Sequence, residues 1–519
     1  MTITNPRRSH DIVKEDIKNG LNFVRYPYEV ELFESEREAR LEKIKSDLEE
    51  SRYVPQPCVI ADVPKGKGAV RPGAILTIDD QIAYTLLLDS EYEKFRTELL
   101  PLQGVSDFAY QLQPNASSDK WYKHQFVCWD EFKDRSLDKL NQGFQFVVIT
   151  DVTGCYENID HNLLLADLRR IGVPSDKVTE IRKLLKKWSQ VGTKGLPQGV
   201  SASHLLAKLY MSGVDIEMRN LGYEQIRFVD DIRVFCNSVS EAKKALMALT
   251  DILRKRGLNL QSAKSKILQV EEAKLEIVGK ATVIDILHEK LRSEVDFVEV
   301  EGYPYAVEIQ VNTGRPNAEQ LDVIKQAFND YFLSGNNNEF DKTLFHYLLN
   351  KLGNAGDELA ISYCLDLLEK HPQETSYILK YFGKVSSRSI VYSQLVVFMN
   401  STNAVYDYQN YLISQWLFNE SYQSTDFLDF MRSVAFDNNK PAYYRAIAKQ
   451  VLGVLGEHHD LTRIRDSFTQ ASSAQEKEAV LCSLNRLEVR TRDSFLRDTV
   501  VSEPHLVSAA NYAKRTLAA

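Results

Sequence analysis

Three acidic residues stand where apolar sequence makes charge expensive. Asp151 closes the run 144–151 (FQFVVITD), and Asp230 and Asp231 sit side by side inside 226–235 (IRFVDDIRVF). A carboxylate against apolar neighbours must reach water or bind a cation. Two adjacent ones also repel each other, a cost that a solvated turn or a metal reduces. Asp and Asn are ordinary turn formers, and a strand-end Asp is often a simple cap, so each feature alone has a plain structural reading. A third feature is Gly195-Leu196-Pro197-Gln198-Gly199, followed by Val200-Ser201-Ala202-Ser203. Glycine lets a ligand approach backbone, and Gln198 offers donors and an acceptor. The same string also reads as a loop-to-helix junction with Ser201 as cap.

These residues need elements to hold them. The run 144–151 has the near-continuous apolar character of a buried strand. The segment 226–235 reads as a hairpin whose turn carries the two acids. Amphipathic helices are expected at 178–188 and 201–219. From about Asn317 onward strand signals vanish, and helix-length apolar patterns alternate with short breaks such as GNAGD, MNSTN and FDNNK. Arg465-Asp-Ser-Phe468 recurs as Arg492-Asp-Ser-Phe495, an offset too short for a usual two-helix repeat. An irregular helical array of the HEAT type and a plain helical bundle both fit this texture. The stretch 280–316 between the two textures leans towards β.

Composition sets the outer bounds. The 519 residues are 44% hydrophobic and 26% charged, which excludes collagen-like or mainly disordered chains. A net charge of −8 argues against a general polyanion coat, so any phosphate site must be local. Cys58, Cys128, Cys155, Cys236, Cys364 and Cys482 lack the spacing of a zinc site or a disulfide framework. No apolar run reaches membrane-spanning length and the first residues lack a signal-peptide core, so a cytoplasmic protein without membrane attachment is expected.

Order then adds what single motifs lack. A strand-end Asp, GLPQG opening a helix, a hairpin bearing two Asp, and Leu258-Asn-Leu-Gln-Ser-Ala-Lys264-Ser265 follow one another. That series resembles the palm of reverse transcriptases, over roughly residues 50–280. The resemblance implies an α+β fingers and palm region, an antiparallel sheet with helices, over 1–310, followed by an all-α HEAT-like region over 311–519. It matches Asp151 to the first metal aspartate and Phe228-Val229-Asp230-Asp231 to the Tyr-x-Asp-Asp box, with Phe for Tyr. Lys264 matches the lysine of the fourth palm motif.

By the same resemblance, Asp151 and Asp230 would hold two Mg²⁺ ions, with Mn²⁺ as a substitute, and Asp231 would assist. Tyr156, five residues after Asp151, falls at the steric gate that excludes a ribose 2′-OH, or else simply packs beneath the palm. Gln198 and Gly199 would line the dNTP site, and Lys264 would meet the leaving group. Upstream, Tyr53-Val-Pro-Gln-Pro57, Pro64-Lys65-Gly-Lys67-Gly-Ala-Val-Arg71-Pro72 and Ile78-Asp-Asp-Gln-Ile82 resemble the fingers. Lys65 and Arg71 would then grip a triphosphate, unless they belong to a merely exposed basic loop.

Departures narrow the family. The second motif continues as 200–204 (VSASH) without the prolines of group II intron and retron enzymes, and no nuclease or maturase zinc signature follows. A thumb is hard to find after Gly279. A palm joined to a long helical region resembles the bacterial abortive-infection reverse transcriptases, AbiK-like and prophage-borne. That implies a homo-oligomeric antiphage DNA polymerase working without a template from a protein primer, a tyrosine, its single-stranded DNA product covalently attached. Conventional RNA-templated copying for a mobile element, and an inactive palm on a helical interaction protein, are the alternatives. The 25 tyrosines do not identify a primer; Tyr26 and Tyr28 are candidates only by position. Arg182-Lys-Leu-Leu-Lys-Lys-Trp188 reads as a site for single-stranded DNA or as the solvated face of a helix with Leu184, Leu185 and Trp188 inward.

Overall fold

The structure is a computed structural model that describes residues 2–26, 28–113, 120–278, 298–301, 306–309, 316–334 and 340–515. It forms two compact units, each assembled from discontinuous stretches. The first takes Met1–Leu21, Leu41–Cys58 and Asp79–Asn312, and the second takes Asn22–Arg40, Val59–Ile78 and Thr313–Ala519.

The N-terminal elements are α1 (Pro6–Lys18), α2 (Glu29–Ser35) and α3 (Arg37–Glu49). Strands β1 (Val59–Pro64) and β2 (Val70–Ile75) form an antiparallel hairpin in the second unit. Helices α4 (Ile78–Asp89), α5 (Tyr92–Leu99) and α6 (Gln125–Asn141) follow. The rest of the first unit runs β3 (Phe146–Asp151), α7 (Cys155–Asn158), α8 (His161–Arg170), α9 (Ser175–Trp188), α10 (Ser201–Asn220), β4 (Glu224–Phe228), β5 (Asp231–Cys236), α11 (Val239–Lys255), β6 (Lys266–Gln269) and α12 (Val270–Val278).

The centre of the first unit is a four-stranded antiparallel sheet in the order β4-β5-β3-β6. Its middle strand β3 buries Val147 and Val148, which point to opposite faces, so both faces are covered. Helix α11 packs on β3 and β5, α6 on β4 and β5, and α10 on β4. Helix α9 is amphipathic as expected, with Leu184, Leu185 and Trp188 buried while Arg182, Lys186 and Lys187 face water. Helix α10 departs from the expected amphipathic pattern, because every residue from Ser201 to Ser212 is buried. This part runs through the middle of the unit, between α5, α8, α11 and the sheet, and only the last turn, with Glu217, Arg219 and Asn220, reaches solvent.

The β-leaning stretch contributes an antiparallel pair, β7 (Val298–Glu301) with β8 (Ala306–Ile309). Residues 279–297, where a thumb would begin, lie outside the described residues. All six cysteines are free thiols. Among the described residues, no helix is long and apolar enough to cross a membrane.

From Ala318 to Ala513 the second unit is helical throughout its described residues. The helices beginning at Lys342, Thr375, Asp407, Ala442, Ala474 and Val507 each pack on the next of the series, their starts 32–35 residues apart. The helices between them form a second row against the first. The two Arg-Asp-Ser-Phe strings lie out of phase with this spacing, one ending a helix and one inside the next but one, and their Phe468 and Phe495 rings meet edge-on at 5.7 Å.

Candidate active site

Register brings two of the acids together. Asp151, the last residue of β3, lies directly opposite Asp231, the first residue of β5. Asp230 occupies the two-residue turn before it, and the carbonyl of Asp230 accepts a hydrogen bond from Val152 N–H at 3.1 Å. The turn that carries Asp230 is strained, since Val229 has φ +57°, a left-handed value costly for a β-branched residue.

Buried charge beneath the turn holds that conformation. Arg227 is fully buried and bridges Asp107 and Asp215, with ion-pair distances of 3.0 and 2.9 Å. Its Nη1 also donates to the carbonyl of Val229 at 3.4 Å. Lys208 completes the group, its Nζ 2.6 Å from Asp107 Oδ2. Each charge is paired, which is the condition for charge to survive in an interior. Phe228 packs among Trp129 and Phe132, with ring centroids 4.9 and 5.8 Å away, an aromatic pocket without a hydroxyl's need for a partner.

The three acids feel one another. Burial, then the neighbouring Asp231 and Asp151, raise the Asp230 carboxyl to about 8. Burial and Asp151 raise Asp231 to about 6. Lys264, brought up by the short helical turn Ser262–Lys264, places Nζ 3.1 Å from Asp151 Oδ2. The strap that carries it is tied to β3: Gln261 N–H donates to the Asp151 carbonyl at 2.7 Å, and Thr153 N–H to Asn259 at 2.8 Å. Among the described residues, no three His, Cys, Asp or Glu side chains are already gathered as a metal cage. The donor set nevertheless suits a hard divalent cation: oxygen ligands only, and mutual repulsion that added positive charge relieves.

The GLPQG loop lies against the segment after Asp151. Leu196 N–H donates to the Tyr156 carbonyl at 2.9 Å, and Gly195 N–H to that of Ile159 at 2.9 Å. His161 Nε2 donates to the Gly195 carbonyl at 2.8 Å. Gly195 has φ +97°, and a Cβ there would come within 3.3 Å of the Glu157 carbonyl oxygen, so the close approach requires glycine. Gln198 is half-buried and donates through Nε2 to Glu157 Oε1 at 3.1 Å, while Gly199 has φ +98°. The cap expected from Ser201 comes instead from α1. Asp16 accepts from Ser201 N–H at 2.8 Å and from Ser201 Oγ at 2.6 Å.

Tyr156 is buried, and its hydroxyl makes a 2.7 Å hydrogen bond with His204 Nδ1. Lys65 and Arg71 belong to the second unit, at the end of the β1–β2 hairpin. Lys65 N–H donates to the Ala69 carbonyl at 2.7 Å, and the Arg71 guanidinium lies 5.2 Å from the Phe23 ring centre. Tyr26 and Tyr28 are buried, and burial pushes both hydroxyls well above the ordinary tyrosine range. Trp188 is buried with Nε1 donating to Gln56, so the 182–188 segment has the solvated-face arrangement and no ring free to stack on a base.

Asp16, Asp107, His204, Lys208, Asp215 and Arg227 were not identified from sequence. The available signal was charge inside apolar runs: Arg227 in an apolar strand arm, and Lys208 and Asp215 within α10.

Residues 63–289 match the family described as reverse transcriptase (RNA-dependent DNA polymerase). The chain is 28% identical over 189 residues to the group II intron-encoded protein LtrA of Lactococcus lactis subsp. cremoris, covering 34% of this chain and 28% of that protein. It is 23% identical over 185 residues to a putative COX1/OXI3 intron 1 protein of Saccharomyces cerevisiae, covering 34% and 20%. The chain therefore spans under a third of the length of these relatives. Among solved structures it is similar to telomerase from Candida albicans with a fragment of telomeric RNA, at TM-score 0.29 and 12% identity over 80% of this chain and 67% of that one. Apo telomerase from Candida tropicalis gives TM-score 0.32 and 12% identity over 88% and 68%.

Proposed function

We propose that this chain, whose residues 63–289 form a reverse transcriptase domain, is an abortive-infection DNA polymerase that adds dNTPs without a template from a tyrosine hydroxyl of protein. The observation that carries the polymerase chemistry is the pairing of Asp151 with Asp231 on adjacent strands, with Asp230 in the turn and Lys264 on Asp151. A divalent cation, Mg²⁺ or Mn²⁺, would supply Lewis acidity for phosphoryl transfer when bound there. Asp151 and Asp230 would hold it and Asp231 would assist. Lys264 faces the charge that develops on the leaving pyrophosphate. Tyr156 excludes the ribose 2′-OH, Gln198 and Gly199 line the nucleotide, and Lys65 and Arg71 bind triphosphate oxygens.

Two features support the untemplated, self-primed form. A long array of paired helices, HEAT-like in this reading, follows the palm, and the net charge of −8 disfavours capture of a free duplex. A covalently held strand needs no such capture. A cytoplasmic homo-oligomer belongs to the same reading. Similarity to the group II intron-encoded protein favours a second reading, RNA-templated reverse transcription.

One experiment separates them. Purified protein is incubated with Mg²⁺ and labelled dNTPs without nucleic acid, then run on a denaturing gel. Label migrating with the polypeptide, absent from Asp230→Ala, is expected. Incorporation that requires a primed RNA template would establish the second reading, and none under either condition would indicate an inactive palm.

A further inference from the structure

We infer that His204 is a positioning residue for sugar selection, fixing the Tyr156 ring from behind through its hydroxyl. The inference rests on the polymerase reading and on Tyr156 as the gate. It begins with the 2.7 Å hydrogen bond between Tyr156 Oη and His204 Nδ1, both buried, with the two rings edge-on at 5.6 Å. A tyrosine ring turns about two side-chain bonds, so a partner at its hydroxyl fixes both the tilt of the ring and the reach of its edge.

His204 is itself immobilised. Tyr110 stacks on it with ring centroids 4.0 Å apart and planes 12° from parallel. Tyr110 adopts φ +44°, an uncommon backbone state for an aromatic residue, and its N–H donates to Gln125 Oε1 at 3.0 Å. Tyr122 meets Tyr110 edge-on at 5.2 Å and donates its hydroxyl to the Ser201 carbonyl at 2.9 Å. Ser201, one turn before His204, is tied to Asp16. Burial also pushes the imidazole down to about 3, so it stays neutral and keeps one hydrogen-bonding role at each nitrogen across the working range of pH. A pocket lined by Tyr156, His204, Tyr110, Cys155 and Val229 joins this stack to the turn that carries Asp230.

A steric gate works only if its ring holds position against the extra oxygen of a ribonucleotide. A ring released from its hydroxyl anchor can swing aside and admit the 2′-OH. The expected signature is therefore a loss of discrimination, borne by a faster reaction with ATP.

The test compares kcat/KM for dATP and ATP in the full chain, for the wild type and for Tyr156→Ala, Tyr156→Phe, His204→Leu, His204→Gln and the Tyr156→Phe/His204→Leu pair. Thermal melting is followed alongside. Tyr156→Ala should relax selection outright. Tyr156→Phe and His204→Leu should each lower the dATP:ATP ratio by about tenfold, the double variant no further, and His204→Gln should recover part of the ratio. The change should lie in kcat/KM for ATP, with melting temperatures close to wild type. If His204→Leu does not fold, Tyr156→Phe breaks the same bond from the other side. A relaxed Tyr156→Ala beside wild-type ratios for Tyr156→Phe and His204→Leu overturns the inference and leaves the gate intact. An unchanged ratio in Tyr156→Ala overturns the gate, and the inference with it.

Discussion

Lys264 Nζ lies 3.1 Å from Asp151 Oδ2, so an ammonium half exposed to solvent stands beside the carboxylate that β3 sets opposite Asp231. Any divalent cation at Asp151 must share that carboxylate with the lysine or displace it. Lys264→Met should therefore bind Mg²⁺ more tightly, by about two- to fivefold, since an ion pair this exposed is worth under about 1 kcal/mol. Titration calorimetry measures this directly. An unchanged or weaker affinity would show that the two cations do not compete.

Arg227 anchors the turn from below. Removing its charge leaves Asp215 buried without its cation and Asp107 with Lys208 alone, a loss of about 3–5 kcal/mol for a broken buried pair. Urea unfolding of Arg227→Met should show a loss of that size, and Arg227→Lys an intermediate one, because the ammonium lacks the guanidinium fork. A loss below about 1 kcal/mol would mean that the network does not support the fold.

Asp16 makes the first unit sensitive to pH. Burial raises its carboxyl from 3.8 to about 7, against the opposing pull of the Ser201 hydrogen bonds. The folded state therefore holds this proton longer than the unfolded chain does. The stability it contributes is whole below about pH 4 and is lost as pH rises through about 7. Asp16→Asn keeps an acceptor for Ser201 N–H and carries no charge. Its melting temperature should gain on that of the wild type between pH 5 and pH 8. A difference independent of pH would place the Asp16 carboxyl at an ordinary value.

Helix α9 separates packing from charge. Trp188→Ala removes a buried indole and should cost about 3–5 kcal/mol. Neutralising the exposed Arg182, Lys186 and Lys187 together should change stability by under about 1 kcal/mol. Chemical denaturation of both variants checks the contrast. Equal losses would contradict the inward orientation of the tryptophan.

Much of the first unit was legible because its elements have simple periods. The β3 strand, the hairpin and the helix opened by Ser201 fall where apolar runs and glycines put them, within two or three residues. Helix α10 reads as amphipathic in the sequence, yet Ser201–Ser212 are buried on every side, which a helical period does not reveal. The spacing of 32–35 residues in the helical region was invisible, because each helix meets its neighbours through different apolar residues and no residue type need recur. The Arg-Asp-Ser-Phe recurrence follows no structural repeat.

The sequence by itself determined which acids matter to this reading and in what order, because the residues that flank Asp151, Asp230 and Asp231 are local and leave a linear record. Only the tertiary structure decided what surrounds them. Asp151 faces Asp231 because a strand register aligns residues 80 positions apart. Arg227 meets Asp107 and Asp215, Asp16 caps α10, and His204 meets Tyr156 through contacts between distant parts of the chain. Such pairings depend on which helix packs on which strand. A buried charge, or a buried histidine, shows its purpose only when the group that compensates it is in place.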